Sequence, residues 1–280
     1  MALDRPLKLN FLDTHTTQID AHKAVKNIID FSSNKLVETV SDVLSLAHQI
    51  LQPELYLEIG VHDGSMLAHA QCAAIGVDSL AKQRTNLDAK TKIIHATSDL
   101  FFMFMAEKML QGQPDLVFID GMPLVENTIG DFIQCERHAK PTTLIAIANP
   151  FPRTPEQGMR HRNAINWAGD VWKLRKFLQE HRPELFITAL EVAENGLLLV
   201  AGLDPNNRVL SERYATFCEE QRKKDVCALP PLDILERQGS IPPNEIHSKL
   251  TRLFESLSSL NTQPKATPEQ VSRALYNSMD

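Results

Sequence analysis

Two glycines and two acidic residues carry the first chemistry legible in the chain. Leu55–Ser65 reads LYLEIGVHDGS: a short apolar run ends at Glu58 and is followed by Gly60 and Gly64, opening a segment with helical spacing. Such a strand, tight turn and helix start lets the polar backbone of a ligand approach the main chain, with helix N-terminal amides facing it. Glycines alone would also suit a plain structural turn that packs helix on strand. A second apolar run, however, closes at Asp78, eighteen residues after Gly60. A carboxylate there is placed to accept hydrogen bonds from both ribose hydroxyls of a nucleoside. The pair of features predicts a nucleoside cofactor.

The turn also separates cofactor types. A dinucleotide fingerprint needs G-x-G-x-x-G so that the second glycine admits a pyrophosphate. Here Val61, His62, Asp63 and Gly64 follow Gly60, and that fingerprint is absent. With Glu58 two residues before Gly60 and a later strand DLVFIDG, the pattern resembles the class I methyltransferases, which bind S-adenosylmethionine. That ligand carries an amino acid and no phosphate.

The elements that must position these residues alternate. Apolar spacing predicts a helix over Asn34–Leu51, capped by Ser32 or Ser33 and stopped by Pro53. Strands are expected at Leu55–Gly60, Ala73–Asp78, Lys92–Ala96, Asp115–Asp120 and Thr143–Ala148. Helices are expected from about Ser65, near Ala81–Asp88, and over Leu100–Leu110, Val125–His138 and Trp167–Glu180. Strand and helix in alternation imply a parallel sheet. The last two strands, Leu185–Leu190 and Gly196–Gly202, are joined by five residues, too few for a parallel crossover, so the sheet ends in an antiparallel hairpin. The expected fold is α/β, a Rossmann-like seven-stranded, mostly parallel sheet with helices on both faces and a helical C-terminal extension.

Three parts are expected: a helical segment over 1–52, in which Ile19–Phe31 has helical spacing, a cofactor-binding domain over 53–205, and a helical extension over 206–280. In the extension Ile246, Leu250, Leu253, Phe254 and Leu257 form one stripe, and Thr267-Pro268-Glu269-Gln270 is a helix start. The stripe is expected to pack on the domain or on a second copy of the chain in a homodimer.

Composition bounds the rest. A net charge of −6 argues against nucleic-acid binding by the whole surface. Cys72, Cys135, Cys218 and Cys227 lack C-x-x-C spacing and read as reduced thiols, with neither zinc site nor disulfide framework. The chain shows no signal-peptide core and no membrane-spanning apolar run, so a cytoplasmic protein is expected.

Three stretches narrow the resemblance: DLVFIDGMPLVENTIGDFIQCERHAKP, FPRTPEQGMRHRNAINWAGDVWKL and GLLLVAGLDP. Over roughly Leu55–Pro205 the chain resembles the bacterial small-molecule methyltransferases grouped with macrocin O-methyltransferase, and more distantly catechol O-methyltransferase. The resemblance implies that Gly60 and Gly64, with Val61, His62 and Ser65 in the same turn, line the methionine part of S-adenosylmethionine. It also implies that Glu58 organises the turn, Asp78 holds the ribose, Thr97, Ser98 and Asp99 sit beside adenine, and Asp120 faces the transferred methyl. Asp99 reads equally as a helix N-cap.

The chain departs from these relatives at two strand ends. Where they commonly carry IDG-x-H, this sequence has Pro123, which removes a proton acceptor. Where their fifth strand ends in Asp followed by Asp or Asn, binding a magnesium-type cation together with the fourth-strand Asp, it has Ala148-Asn149. Asp120 and Asn149 are the remaining candidate ligands, with one charge between them where a hard cation prefers several carboxylates. His62, His138 and His161 are candidate bases, as is Asp120 itself. Arg153, Arg160 and Arg162 follow the fifth strand and could clamp an anionic small-molecule acceptor. Trp167 and Trp172 fit helix-to-sheet packing. The expected activity is O-methylation of a small hydroxyl-bearing acceptor, anionic sugar or natural product. The alternatives are a cofactor-binding pseudoenzyme serving partners and, less in keeping with the turn, a nicotinamide oxidoreductase.

Overall fold

The structure, a computed structural model, describes residues 37–280 except 163, 224–227 and 263–264. The expected helix at Ile19–Phe31, the Ser32 or Ser33 cap and Cys227 lie outside the described residues. The first described helix, α1 (Val40–Leu51), starts later than predicted because Thr39 caps it. Its hydroxyl accepts from the Asp42 amide while the Asp42 carboxylate accepts from the Thr39 amide.

The described residues then form one sheet of seven strands: β1 (Leu55–Ile59), β2 (Ala73–Val77), β3 (Thr91–Ile94), β4 (Leu116–Ile119), β5 (Leu144–Ala148), β6 (Phe186–Leu190) and β7 (Leu197–Ala201). The order across the sheet is β3-β2-β1-β4-β5-β7-β6. β1 to β5 are parallel, and β7 pairs antiparallel with both β5 and β6. This is the predicted architecture, a Rossmann-like sheet closed by an antiparallel hairpin.

Alternation along the strands divides the apolar residues between two faces. Leu57, Ile59, Val117, Ile119, Ile145 and Ile147 point to one face. It is covered by α2 (Ser98–Phe104), α3 (Ala106–Met109), α4 (Val125–Arg137), α5 (Leu174–His181) and α6 (Val209–Lys223). Tyr56, Leu116, Phe118, Leu144 and Ala146 point to the other. There α1 packs with α8 (Pro243–Asn261) and α9 (Pro268–Met279), which follow the short α7 (Leu232–Leu235). The predicted stripe from Ile246 to Leu257 is buried in this second layer. The Thr267 start forms the predicted capping box. None of the described helices is long and apolar enough to cross a membrane.

Two predicted helices are absent, and both absences bear on the site. Only thirteen residues separate β1 from β2, and they hold a single 3₁₀ turn, Leu67–His69, in place of the helix expected from Ser65. Leu67 packs directly on β2, where a Cβ on Gly76 would lie 2.8 Å from its Cδ2 and 2.6 Å from Val61 Cγ2. Residues 81–88 are likewise not helical. Their backbone donors turn outward, Lys82 N–H to the His62 carbonyl (2.8 Å) and Arg84 N–H to that of Asp63 (3.0 Å), so the i−4 ladder is never formed.

Candidate functional site

The site is built where the parallel strands end. Gly60 leaves β1 with φ +89°, and a Cβ there would lie 2.1 Å from the Asp120 carbonyl oxygen, so only glycine lets the ends of β1 and β4 meet. His62 (φ 52°) and Gly64 (φ +85°) complete a tight left-handed turn. Asp63 accepts from the Ser65 amide at 3.0 Å, fixing the far side of the turn.

Asp78 holds this turn from the end of β2. Its Oδ2 accepts from the amides of Val61 (3.0 Å) and His62 (2.9 Å), and its Oδ1 from that of Leu80 (2.7 Å). A carboxylate offers about four acceptor positions. Two of them here hold the glycine turn and a third closes the local turn at Leu80, leaving one facing elsewhere, so the residue placed for a ribose is first of all a clasp on the glycine turn.

Glu58 is fully buried on β1 and accepts from the Tyr56 hydroxyl at 2.8 Å through Oε2. Its other oxygen is buried without a partner. Burial pushes its carboxyl up to about 8, the Tyr56 hydrogen bond opposes that rise, and the carboxylates of Asp120, Asp63 and Asp78 add to it. Glu58 is thus a protonated acid at neutral pH, with one oxygen still wanting a partner.

Asp120 closes β4, with 30% of its side chain exposed. Its Oδ1 accepts from Asn149 Nδ2 at 2.9 Å, and Asn149 Oδ1 in turn accepts from Asn195 Nδ2 at 3.1 Å. Asn149 stands at φ 71°, a left-handed conformation that asparagine tolerates better than most residues. His62 Nε2 lies 3.2 Å from the Asp120 carbonyl oxygen, which can only accept, and 3.9 Å from its Oδ2. Desolvation raises the Asp120 carboxyl to about 6, against the pull of His62 and of the Asn149 amide.

A cleft of about 170 Å³ opens beside this carboxylate, lined by Val40, Met66, Phe118 and Ala148 and by the polar residues Asp120, Asn149, Glu194 and Asn195. Apolar walls with a few convergent polar groups are the general design of a small-molecule site. Asn195 and Glu194 went unassigned in the sequence, where residues 191–195 read only as a hairpin connector. The Asn195-Gly196 turn signal was present, but the 46-residue separation from Asn149 hid its partner.

Other predicted residues are placed elsewhere. Thr97, not Asp99, caps α2, accepting from the Leu100 amide at 3.4 Å. Asp99 is exposed in the first turn of α2, and Ser98 beside it is half-buried. Arg160 is committed to two acids: its Nη1 donates to Glu126 (2.9 Å) and Asp170 (2.7 Å), and its Nη2 to Glu126 (2.5 Å). Arg153 Nε donates to the Glu194 carbonyl at 2.8 Å, beside the cleft, and Arg162 is exposed. Trp167 and Trp172 donate to the carbonyls of Met159 and Gly158, bracing their own loop. His138 stacks on Phe102, away from the cleft, and His161 is exposed.

Fit to the implied groups differs between metal and cofactor. Among the described residues no three His, Cys, Asp or Glu side chains cluster as a metal site. At the strand ends one carboxylate and one amide face each other, and the amide presents its NH₂ to the carboxylate while its oxygen is taken by Asn195. That donor set does not suit a magnesium-type ion, which wants several oxygens and more charge. The methionine end of S-adenosylmethionine fits better. The Asp120 and Glu194 carboxylates and the apolar cleft walls suit a cationic amine and sulfonium.

No protein-family model matches the chain, and no curated protein matches it. Among solved structures, the chain is similar to the O-methyltransferase from Bacillus cereus in complex with SAH, at 17% identity and a TM-score of 0.46 over 65% of this chain and 91% of that one. It is similar as well to the SAH-bound methyltransferase of Podospora anserina, at 13% identity and a TM-score of 0.46 over 70% of this chain and 99% of that one.

Proposed function

We propose that the chain is an S-adenosylmethionine-dependent methyltransferase that O-methylates a small hydroxyl-bearing acceptor. The observation that carries this reading is the Asp120 carboxylate. It lies on the lip of an apolar cleft at the carboxyl ends of β4 and β5, beside the glycine turn, and is held by Asn149 at 2.9 Å. Open α/β sheets place their ligands at such strand ends.

Gly60, Val61, His62, Gly64 and Ser65 would border the methionine end of the cofactor, with Glu58 beneath them. Asp78 would offer its remaining acceptor position to the ribose, and Ser98 and Asp99, which follow β3, would stand on the adenine side. When bound, the cofactor supplies an activated methyl group, so the protein's task is mainly positioning. Asp120 would accept the acceptor's hydroxyl proton at Oδ2, the oxygen that Asn149 does not occupy. The cleft walls would exclude water from the reacting oxygen. Arg153, bonded to the Glu194 carbonyl, would face an acceptor of sugar or natural-product type with an anionic group, with the exposed Arg162 as a further candidate; Arg160, tied to Glu126 and Asp170, is withdrawn from that role.

Pro123, Ala148 and the engagement of Asp78 by three amides also favour a second reading, a pseudoenzyme that binds the cofactor without turnover. Calorimetric titration with S-adenosylhomocysteine tests the shared half of both readings, and absence of binding at about 1 mM would overturn them together. Release of S-adenosylhomocysteine from S-adenosylmethionine with a panel of hydroxylated metabolites decides between them.

A further inference from the structure

A second cavity, larger than the cleft at Asp120, lies at the opposite end of the sheet, where the strands begin. It measures about 470 Å³ and opens between the starts of β1 and β2, the edge strand β3 and the end of α3. That volume falls within the range of small-molecule sites. Leu55, Ala74, Ile75 and Met109 give it an apolar floor.

Its charge is the reverse of the chain's. Four lysines, Lys90, Lys92, Lys108 and Lys140, line the cavity against two acids, Glu54 and Asp115, although the whole chain carries a net charge of −6. Lys140 and Asp115 neutralise each other in an ion pair. Asp115 is further occupied by the amides of Glu54 and Leu55, at 2.8 and 3.1 Å. The ammonium groups of Lys90, Lys92 and Lys108 have no carboxylate within ion-pair distance among the described residues. Three lysines from two separate chain segments therefore line one concave surface, with Glu54 the one acid of that lining outside the Lys140–Asp115 pair. Like charges so arranged repel, and a ligand that neutralises them gains charge-assisted hydrogen bonds to each.

We propose that this cavity is a binding site for a phosphorylated small molecule, its phosphate oxygens held by Lys90, Lys92 and Lys108. A nucleotide base or another flat apolar group would rest on Ala74, Ile75 and Met109. The site is separate from the cleft at Asp120 and independent of methyl transfer. Lysine is a point-charge phosphate ligand, suited to a terminal phosphate more than to planar bidentate recognition.

The test is calorimetric titration of the full chain with ADP and, separately, with pyrophosphate. Both are expected to bind, more weakly as salt is raised. ADP binding at least about tenfold tighter than pyrophosphate shows that the floor takes the base, whereas equal binding assigns the site to phosphate alone. The Lys90→Gln/Lys92→Gln/Lys108→Gln variant is expected to lose at least about tenfold in affinity for either probe. Lys176→Gln, a change on an exposed helix face, is expected to leave it unchanged. No binding at about 1 mM, or binding that the triple variant retains, would overturn the proposal. So would competition by S-adenosylhomocysteine, which would place the probe in the other cleft.

Discussion

At the scale of single residues, Asp120 and Glu58 are two acids placed in low-polarity surroundings with different partners. Asp120 has the His62 imidazole and the Asn149 amide opposing its desolvation, so its carboxyl rises only to about 6 and is ionised at neutral pH. As the proposed proton acceptor it makes kcat/KM rise with pH through about 6. Asn149→Gly keeps the left-handed backbone and deletes the donated N–H, which favours the charged form. The inflection of the pH profile is therefore expected to move to higher pH. Asp120→Asn preserves shape without a base, and turnover is expected to fall about a hundredfold or more with cofactor affinity retained. Equal loss of affinity in a titration would make Asp120 a binding residue instead. Glu58 works the other way. Its folded-state carboxyl lies near 8 against about 4.5 in the unfolded chain, so the folded state holds the extra proton across that window. Stability is then expected to decline from about pH 4.5 to pH 8, by up to about 1.4 kcal/mol per pH unit, and to level off above. Urea melts of Glu58→Gln across the same pH range should lack that slope, whatever the variant's offset in stability.

Among elements, the strands were legible and the connections were not. Most strands are short apolar runs bounded by polar or glycine residues, and a six-residue link between β6 and β7 permits only a hairpin, so sheet and hairpin follow from local sequence. The helix expected from Ser65 failed because β2 begins at Ala73, leaving room for one turn packed on Gly76. Residues 81–88 failed because their amides bond the glycine turn, a partner 20 residues away that periodicity does not reveal. Asp78 stands at the end of β2 as expected, yet its bonds to the Val61 and His62 amides are tertiary and do not show in local spacing. The same holds for Arg160, which spacing put at a substrate mouth and folding put in an ion-pair cluster. That cluster sets the next prediction. α4 has no side-chain cap of its own, and Asp170 supplies one, its Oδ1 accepting the Val125 amide at 2.9 Å. Its Oδ2 accepts from Arg160 (2.7 Å) and Lys173 (2.8 Å). Asp170→Ala leaves a buried helix amide unpaired, Lys173 without its carboxylate and Arg160 with Glu126 alone, and a loss of about 3–5 kcal/mol is expected in chemical denaturation. Gly169 beside it has φ +57° and would put a Cβ 1.6 Å from the Pro123 carbonyl oxygen. The loop after β5 thus presses on the loop after β4, and the departure at Pro123 is part of that seat.

On the scale of the whole molecule, the sheet depends on a layer that comes from the end of the chain. α8 and α9 place Ile246, Leu250, Leu253, Phe254, Leu257, Val271 and Leu275 against the face that carries Tyr56 and Phe118, each at 2% exposure or less. Burying seven such side chains stabilises the fold by roughly 10–20 kcal/mol as an upper bound. A typical domain has a net stability of only about 5–15 kcal/mol. α9 also closes an edge. β6 is the last strand of the sheet, and the Tyr276 hydroxyl accepts from the Ile187 amide and donates to the Leu185 carbonyl, both at 3.2 Å. An uncovered edge would offer those groups to another chain. Ending the chain at Ile241 therefore removes more stabilisation than the remaining sheet can spare. The truncated protein is expected to be unfolded or aggregated by circular dichroism and size-exclusion chromatography, although all seven strands and every proposed cofactor residue are retained. A truncated chain that stays monomeric, melts cooperatively and still binds S-adenosylhomocysteine would show that the strands and α1 to α7 fold alone. Tyr276→Phe gives the finer measure, because it keeps the ring on Phe186 and deletes only the hydroxyl. A loss of about 1 kcal/mol is expected, together with faster hydrogen exchange at the Ile187 amide.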